Sequence, residues 1–342
     1  MRTSIAIGVG AAAMALVLEV ALQCVPVFSG LRLAASDAAT PFSRYLPEQK
    51  YVYSFGWALD NARRGQTNLQ GFTNSADFKD DARVLVIGDS FIESLMLDYP
   101  DTVQGRLDHA LGGAVYAASS SGNGLADSLD VLAYYVPRIH PRNVVLFVEP
   151  NDLSDILAPA VRGHSNFEVS HGAVRVVHQA YTEPKAKLLV SRSALARYIY
   201  YSLRLPDWLS SKWRSLGRPA AASVAAAAAT GPDPARGAAV EYYLNRLQAL
   251  GAASGINFVF LVDGDRKALY GPGQVAPGWH GDDRQFFIAS AEKHGYKVAD
   301  MQPVFAAHWA ARQERMDFLP MDGHWNPVAH ALAAQQVLPL LD

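Results

Sequence analysis

Arg83-Val84-Leu85-Val86-Ile87-Gly88-Asp89-Ser90 is the stretch on which the fold turns. An apolar run rich in β-branched residues passes without a break into a Gly-Asp turn and a serine. Such a run, bounded by a turn, reads as a strand buried on both faces of a parallel sheet. Two later stretches have the same form. Ala114 to Ala118 is closed by Ser119-Ser120-Ser121-Gly122-Asn123-Gly124, and Asn143 to Val148 ends at Glu149-Pro150-Asn151-Asp152. Ile256 to Val262 reads as a fourth strand and Tyr296 to Asp300 as a short fifth. Between and after them, Thr102–Leu111, Asp127–Tyr135, Val240–Leu250, Arg284–His294 and Val328 to about Leu340 carry helical spacing. Strands alternating with helices predict an α/β fold, a three-layer α/β/α sandwich around a central parallel sheet. No internal repeat is visible.

The chain has 342 residues, half of them hydrophobic and 18% charged. That length and composition support a sizeable core and exclude a disordered chain or a disulfide-stapled miniprotein. Thirty basic and 32 acidic residues leave a formal charge of −2. No basic run stands out to neutralise phosphates, so nucleic acid is not an expected partner. Cys24 is the single cysteine, which excludes an intramolecular disulfide and a cysteine-based zinc site.

Ile5 to Phe28 is the one strongly apolar segment, and about 20 such residues span a bilayer core as a helix. Arg2 alone precedes it, which biases the N-terminus to the cytoplasm and the remainder outward. Glu19 interrupts the apolar run near its far end. Three readings stay open: an uncleaved anchor, a signal peptide cut near Leu33-Ala34-Ala35, and a buried core helix. The first two place the bulk of the chain on the extracytoplasmic, or periplasmic, side. The expected organisation is a membrane segment over residues 1–30, an irregular lead-in over 31–81, and a catalytic domain over 82–342. An insertion around 155–237 interrupts that domain. Ala160 to Val177 suits a small hairpin, Ser193 to Trp213 holds helical patches, and Gly217 to Gly237 is Ala-rich and linker-like.

The chemistry-bearing residues stand at strand ends, where parallel sheets collect their active groups. Ser90 opens a helix at a Gly-Asp turn, a position that suits an N-cap as well as a nucleophile. His324 adds a base that can take a serine proton. Nine other histidines compete, His109, His164, His294 and His330 among them; His324 differs in having Asp322 two residues before it. In an extended segment those two side chains share a face, so one stretch can offer a base and its orienting carboxylate. Gly122 offers a backbone N–H that a ligand can approach closely, and Asn151 a side-chain amide. Both suit the oxyanion of acyl transfer, where a pre-aimed donor is worth about 3–4 kcal/mol. A plain turn at Gly122 and a helix cap at Asn151 are the competing readings. Four coincidences at one sheet edge favour function. Trp57, Trp279, Trp309 and Trp325 can stack on sugar rings, although scattered tryptophans more commonly pack in the core or at its rim.

At these positions the chain resembles the SGNH (GDSL-type) hydrolase superfamily, in order from Arg83 to the C-terminus apart from the middle insertion. Val-Leu-Val-Ile-Gly-Asp-Ser-Phe resembles the first block, Ser-Gly-Asn-Gly the second, Glu-Pro-Asn-Asp the third and Asp-Gly-His-Trp-Asn-Pro the fifth. The resemblance implies Ser90 as nucleophile, Asp322 and His324 completing the triad, and an oxyanion hole from Ser90, Gly122 and Asn151. It departs from the family at Glu149, where glycine usually stands, at Ala329, where glycine is also common, and in the single residue between Asp322 and His324. That short spacing, followed by Trp325, is similar to the branch containing alginate- and peptidoglycan-type O-acetyltransferases. An N-terminal membrane helix before such a domain is similar to a membrane-anchored bacterial branch. The resemblance implies a serine esterase or O-acyltransferase acting on an acylated extracytoplasmic carbohydrate or other ester, without metal or cofactor, with a membrane acyl-donor partner if it transfers. A catalytically silent glycan-binding or assembly subunit and a lipid-directed esterase or thioesterase are the alternatives.

Overall fold

In a computed structural model that describes residues 2–77, 81–205, 233–271, 278–319 and 322–342, five parallel strands form the centre of the larger part of the chain. They are β1 (Val84–Ile87), β2 (Val115–Ala117), β3 (Asn143–Val148), β4 (Asn257–Val262) and β5 (Lys297–Asp300), laid out in the order β2-β1-β3-β4-β5. Val84 is level with Val115 on one side and Asn143 on the other, and Asn143 with Asn257. This register aligns the strand ends, so the turns that follow β1, β2, β3 and β4 open on one edge.

Both faces of the sheet are covered, as the unbroken apolar strands require. Leu85, Ile87, Leu146 and Phe260 pack with residues of the helices Leu125–Ile139, Pro234–Ser254 and Asp283–Lys293. Val84, Val86, Val145 and Leu261 face the opposite way, toward Val103–Ala110, Met301–Arg312 and Pro327–Val337. The period-2 alternation of strand side chains thus divides one core into two. The expected three-layer α/β/α sandwich is the observed one.

The helix Met301–Arg312 was not legible in the sequence. Pro303 argues against it there, but proline is tolerated in a helix's first turn, where its missing N–H has no partner to lose. The helix Pro234–Ser254 begins earlier than Val240, capped by the Asp233 carboxylate on Ala235 N–H. The rest of the Ala-rich stretch, and Trp213, fall outside the described residues.

By its contacts the chain divides into two units. One comprises Met1–Arg32, Gln49–Gln66 and Glu183–Ala229; the other, which holds the sheet, comprises Leu33–Glu48, Thr67–Thr182 and Thr230–Asp342. The stretch 31–81 is therefore not irregular throughout, and it is shared between the units. Lys50–Phe55 and Asp60–Gln66 pair as an antiparallel hairpin, from Lys50↔Gln66 to Phe55↔Asp60. Its second strand, DNARRGQ, is polar on both faces and leaves no hydrophobic period to detect. In the other unit Phe42 and Phe72, each 1% exposed, join the core above Leu85 and Tyr116.

In the first unit, Arg2–Gln23 is one helix, and Thr3–Gln23 is long and apolar enough to cross a membrane, with a mean hydropathy of 2.3. None of its most apolar window is buried by protein, which disposes of the core-helix reading. Glu19 is not left bare. Its carboxylate accepts hydrogen bonds from Ser193 Oγ at 2.7 Å, Ala194 N–H at 2.9 Å and Leu195 N–H at 2.8 Å, at the start of the short helix Ala194–Arg197.

His330, one of the competing histidines, is a structural residue of the sheet-bearing unit. It is wholly buried; its Nδ1 accepts from Val103 N–H at 3.0 Å and its Nε2 lies 3.1 Å from Ser94 Oγ. Burial holds its pKa down to about 3. Because the folded ring resists protonation, its share of stability is complete above the unfolded value near 6.5 and drains away as pH falls toward 3. We expect His330→Ala to cost roughly 2–4 kcal/mol at pH 8, from the cavity and the orphaned Val103 N–H. We also expect the gap between parent and variant to narrow on going from pH 7 to 5. Urea titrations at the two pH values measure both, and a gap that widened toward pH 5 would contradict the assignment.

Candidate active site

The turn after β1 is built by its neighbours. A Cβ on Gly88 would lie 2.4 Å from Ile92 Cγ1 and 3.0 Å from Phe147 Cβ, so only glycine lets β1 pass this closely into the helix Ser90–Glu93. Asp89 caps that helix, its Oδ1 accepting from Phe91 N–H at 2.8 Å. Ser90 is therefore the first helical residue and not the cap, and its hydroxyl is released for another partner.

That partner is His324. Nε2 of His324 lies 2.9 Å from Ser90 Oγ, and Nδ1 lies 2.6 Å from Asp322 Oδ1. Asp322 and His324 sit on one strand, Asp322–Trp325, paired with Asp317–Leu319. The extended backbone sets their side chains on one face, as the i, i+2 spacing requires. Asp322 is a pure acceptor when ionised, so it fixes the Nδ1–H tautomer and leaves the Nε2 lone pair for the serine proton. Phe91 supports the imidazole with its ring centroid 4.8 Å away.

Gly122 and Asn151 line the same cavity as Ser90, a cleft of ≈330 Å³. Gly122 has φ +84°, a backbone that other residues enter only with strain. Its loop is tied down on both sides. Ser121 donates its N–H, at 3.1 Å, and its hydroxyl to the Glu93 carboxylate, while Gly124 N–H donates to Asp127 Oδ2 at 2.9 Å. Asn151 is exposed at the start of the helix Pro150–Ser154. Glu149, in place of the usual glycine, is buried before it. Burial pushes its carboxyl up to about 7, against the opposing pull of the nearby Asn151 N–H and amide. Burial, then the nearness of Glu149, also holds Asp89 and Asp152 well above the carboxylate range.

Of the four tryptophans considered, Trp325 is wholly buried and stacks on nothing in the cleft. It packs edge-on against Phe147 and Phe305, with Nε1 donating to Asp263 Oδ1 at 2.9 Å. Trp279 donates to Asp263 O, Trp309 packs against Tyr270, and Trp57, 75% exposed, lies in the hairpin of the other unit. No sugar-stacking platform is formed from these four.

A buried charge cluster was missed in the sequence. Arg266, with no exposed side-chain surface, donates to Asp263 Oδ2 at 3.1 Å, to Asp317 and to Gly323 O at 2.7 Å. It ties the carboxyl end of β4 to the residue between Asp322 and His324. The sequence signal was present in Asp263-Gly264-Asp265-Arg266, a polar cluster at a strand end like those after β1 to β3. His164 was also undervalued; it lines the Ser90 cleft and pairs with Asp127 at 3.4 Å.

No family model matches the chain, and no curated protein sequence does. Solved structures do. The crystal structure of TesA is 17% identical, covers 75% of this chain and 96% of its own, and gives a TM-score of 0.39. The acetyl xylan esterase AlAXEase is 14% identical, with 75% and 98% covered and a TM-score of 0.39. The psychrotrophic esterase EstA from Pseudoalteromonas sp. is 14% identical, with 76% and 96% covered and a TM-score of 0.35. Likenesses this distant leave function to be read from the site itself.

Removing Arg266 leaves the buried Asp263 carboxylate without a counter-charge and Asp317 with Arg315 alone. Arg266→Met is expected to lose about 3–5 kcal/mol of stability, more than its lost packing explains. Adding Asp263→Asn and Asp317→Asn to it should recover part of that loss. Equilibrium unfolding of the single and triple variants tests this, and a single variant within about 1 kcal/mol of the parent would show that the cluster does not hold the site together.

Proposed function

We propose that this protein is a serine-dependent esterase or acyltransferase of the SGNH (GDSL) type. The observation that carries the reading is the line of contacts from Ser90 Oγ through both ring nitrogens of His324 to Asp322 Oδ1, at 2.9 and 2.6 Å. An imidazole between a hydroxyl at a helix start and a carboxylate is the arrangement that activates a serine for acyl chemistry.

In the proposed reaction His324 Nε2 takes the Ser90 proton as Oγ attacks an ester carbonyl carbon. Asp322 holds the ring and offsets the charge that it gains. The oxyanion is received by the N–H groups of Ser90 and Gly122 and by the Asn151 side-chain amide. Collapse breaks the bond to the alcohol, which leaves with the proton from His324, and an acyl group remains on Ser90. His324 then deprotonates water, or a second hydroxyl, which attacks the acyl carbon and frees the serine. Water makes the protein an esterase; a sugar or other hydroxyl makes it an acyltransferase, which would draw its acyl group from a donor partner in the membrane. The silent-subunit alternative is disfavoured by a complete serine–histidine–aspartate line.

We further propose that the Arg2–Gln23 helix anchors the chain in a membrane with the remainder on the extracytoplasmic side, on the hydropathy of Thr3–Gln23 and on Arg2 at its start. An acylated glycan is then the natural substrate class. The anchor is tested by alkaline carbonate washing of membranes: the full chain should stay in the pellet, and release into the supernatant would remove it.

For the chemistry, the full chain in detergent should be labelled by a fluorophosphonate, and Ser90→Ala and His324→Ala should not. Asp322→Asn should lower kcat by about 10⁴-fold, through loss of the correct tautomer. Asn151→Ala should cost about 10²–10³-fold in kcat, as for one oxyanion donor. A folded parent that takes no label would sink the reading.

A further inference from the structure

The cleft beside Ser90 contains a second imidazole–carboxylate pair, which the reaction above does not use. His164 immediately precedes the hairpin formed by Ser165–Ser170 and Ala173–His178, in the middle insertion. Its backbone is fixed at both ends: His164 N–H donates to Val161 O at 3.0 Å, and Gln179 N–H donates to His164 O at 3.0 Å. Asp127, whose side chain is 1% exposed, holds the ring from below. Asp127 already accepts from Gly124 N–H at 2.9 Å and Ser165 N–H at 2.7 Å, and its Oδ2 lies 3.4 Å from His164 Nδ1. A carboxylate in that position accepts a hydrogen bond from Nδ1–H, and the neutral ring in that tautomer carries its lone pair on Nε2. The far edge of the ring, Cε1 and Nε2, lies 3.4 Å from where a Cβ on Gly122 would stand. His164 therefore presents an acceptor next to Gly122, on the wall of the cleft that holds Ser90.

The rest of the lining narrows the occupant. Asn166 is spent on the hairpin, its amide donating to Asp155 O and Ala158 O and its carbonyl accepting from Phe167 N–H. Five carboxyl groups, Asp89, Asp127, Glu149, Asp152 and Asp155, line the cleft, and among its described lining residues there is no lysine or arginine. With no cation to pair it, a phosphate or carboxylate placed against such a wall stays uncompensated, whereas a neutral hydrogen-bond donor finds acceptors there.

We propose that this cleft receives the alcohol portion of the ester, that this portion is uncharged and carries at least one further hydroxyl, and that His164 Nε2 accepts a hydrogen bond from that hydroxyl. The inference rests on the esterase reading and narrows it to esters of neutral polyols or sugars. Esters of acidic sugars and of phosphorylated alcohols are poor substrates under it. His164 is a specificity residue here and takes no proton in the reaction.

The test compares the full chain in detergent on three acetates: p-nitrophenyl acetate, which has no hydroxyl, a monoacetylated hexose, and the corresponding monoacetylated uronate. The parent should prefer the hexose ester to the uronate by at least tenfold in kcat/KM. His164→Phe should lower the ratio of kcat/KM for the hexose ester to that for the aryl ester by about 5–100-fold, the worth of a buried acceptor lost to a ligand hydroxyl. His164→Gln, which keeps an acceptor in reach, should restore part of the ratio. A ratio unchanged in His164→Phe, whether or not both rates fall together, would overturn the inference and leave the esterase reading in place. So would a parent that hydrolyses the aryl ester and prefers the uronate. A parent inactive on all three acetates and unlabelled by the fluorophosphonate would overturn the esterase reading and the inference with it.

Discussion

A guanidinium with no exposed surface is costly to bury, and the arrangement of this protein's site depends on one. Removing Arg266 from water is tolerable only because Asp263, Asp317 and Gly323 O surround it. Those partners come from the end of β4 and from the two strands of the hairpin that bears Asp322 and His324. The hairpin is short and pairs irregularly, and its own ladder is a weak guarantee of position. Arg266 supplies what the ladder lacks, and Trp325 adds a second tie to the same Asp263 carboxylate. The separation of Ser90 and His324, which arrive from opposite ends of the chain, is thus set by a charge cluster that touches neither of them.

Legibility in the sequence followed burial. β1, β3 and β4 were readable because each is a continuous apolar run, and a strand covered on both faces leaves no other pattern. The polar turns after β1 and β3 were readable for the same reason, as interruptions of those runs. The hairpin over Lys50–Gln66 was not readable, because its second strand has no large apolar residue on either face to set a period. Met301–Arg312 was hidden by Pro303, which local propensity penalises and the first turn of a helix accepts.

The site divides the same way. Ser90, Gly122, Asn151, Asp322 and His324 could be picked out because each lies in a short polar cluster. The choice between a cap and a free hydroxyl at Ser90 could not be made from the sequence, since Asp89 and Ser90 are both good caps; backbone geometry assigns the role to Asp89. Arg266 and His164 were obscure for a different reason. Each draws its meaning from partners far along the chain, Asp317 in one case and Asp127 in the other, and no spacing rule links such pairs. Glu149 read as a departure at a position where glycine is usual; in the fold it is a buried carboxyl beside Asn151, pushed up to about 7 by burial.

Glu19 bears on how the protein can be handled. Its carboxylate is the acceptor for Ser193 Oγ and for the N–H groups of Ala194 and Leu195, so the apolar helix also serves as a piece of the unit it enters. Cleavage near Leu33-Ala34-Ala35, or a shortened version made for convenience in water, would remove that acceptor and leave three donors at the start of Ala194–Arg197 to find solvent. A leader that is merely cut away owes nothing to the mature fold. This one contributes a cap to it, and the long and short forms of the chain are two different proteins in that region.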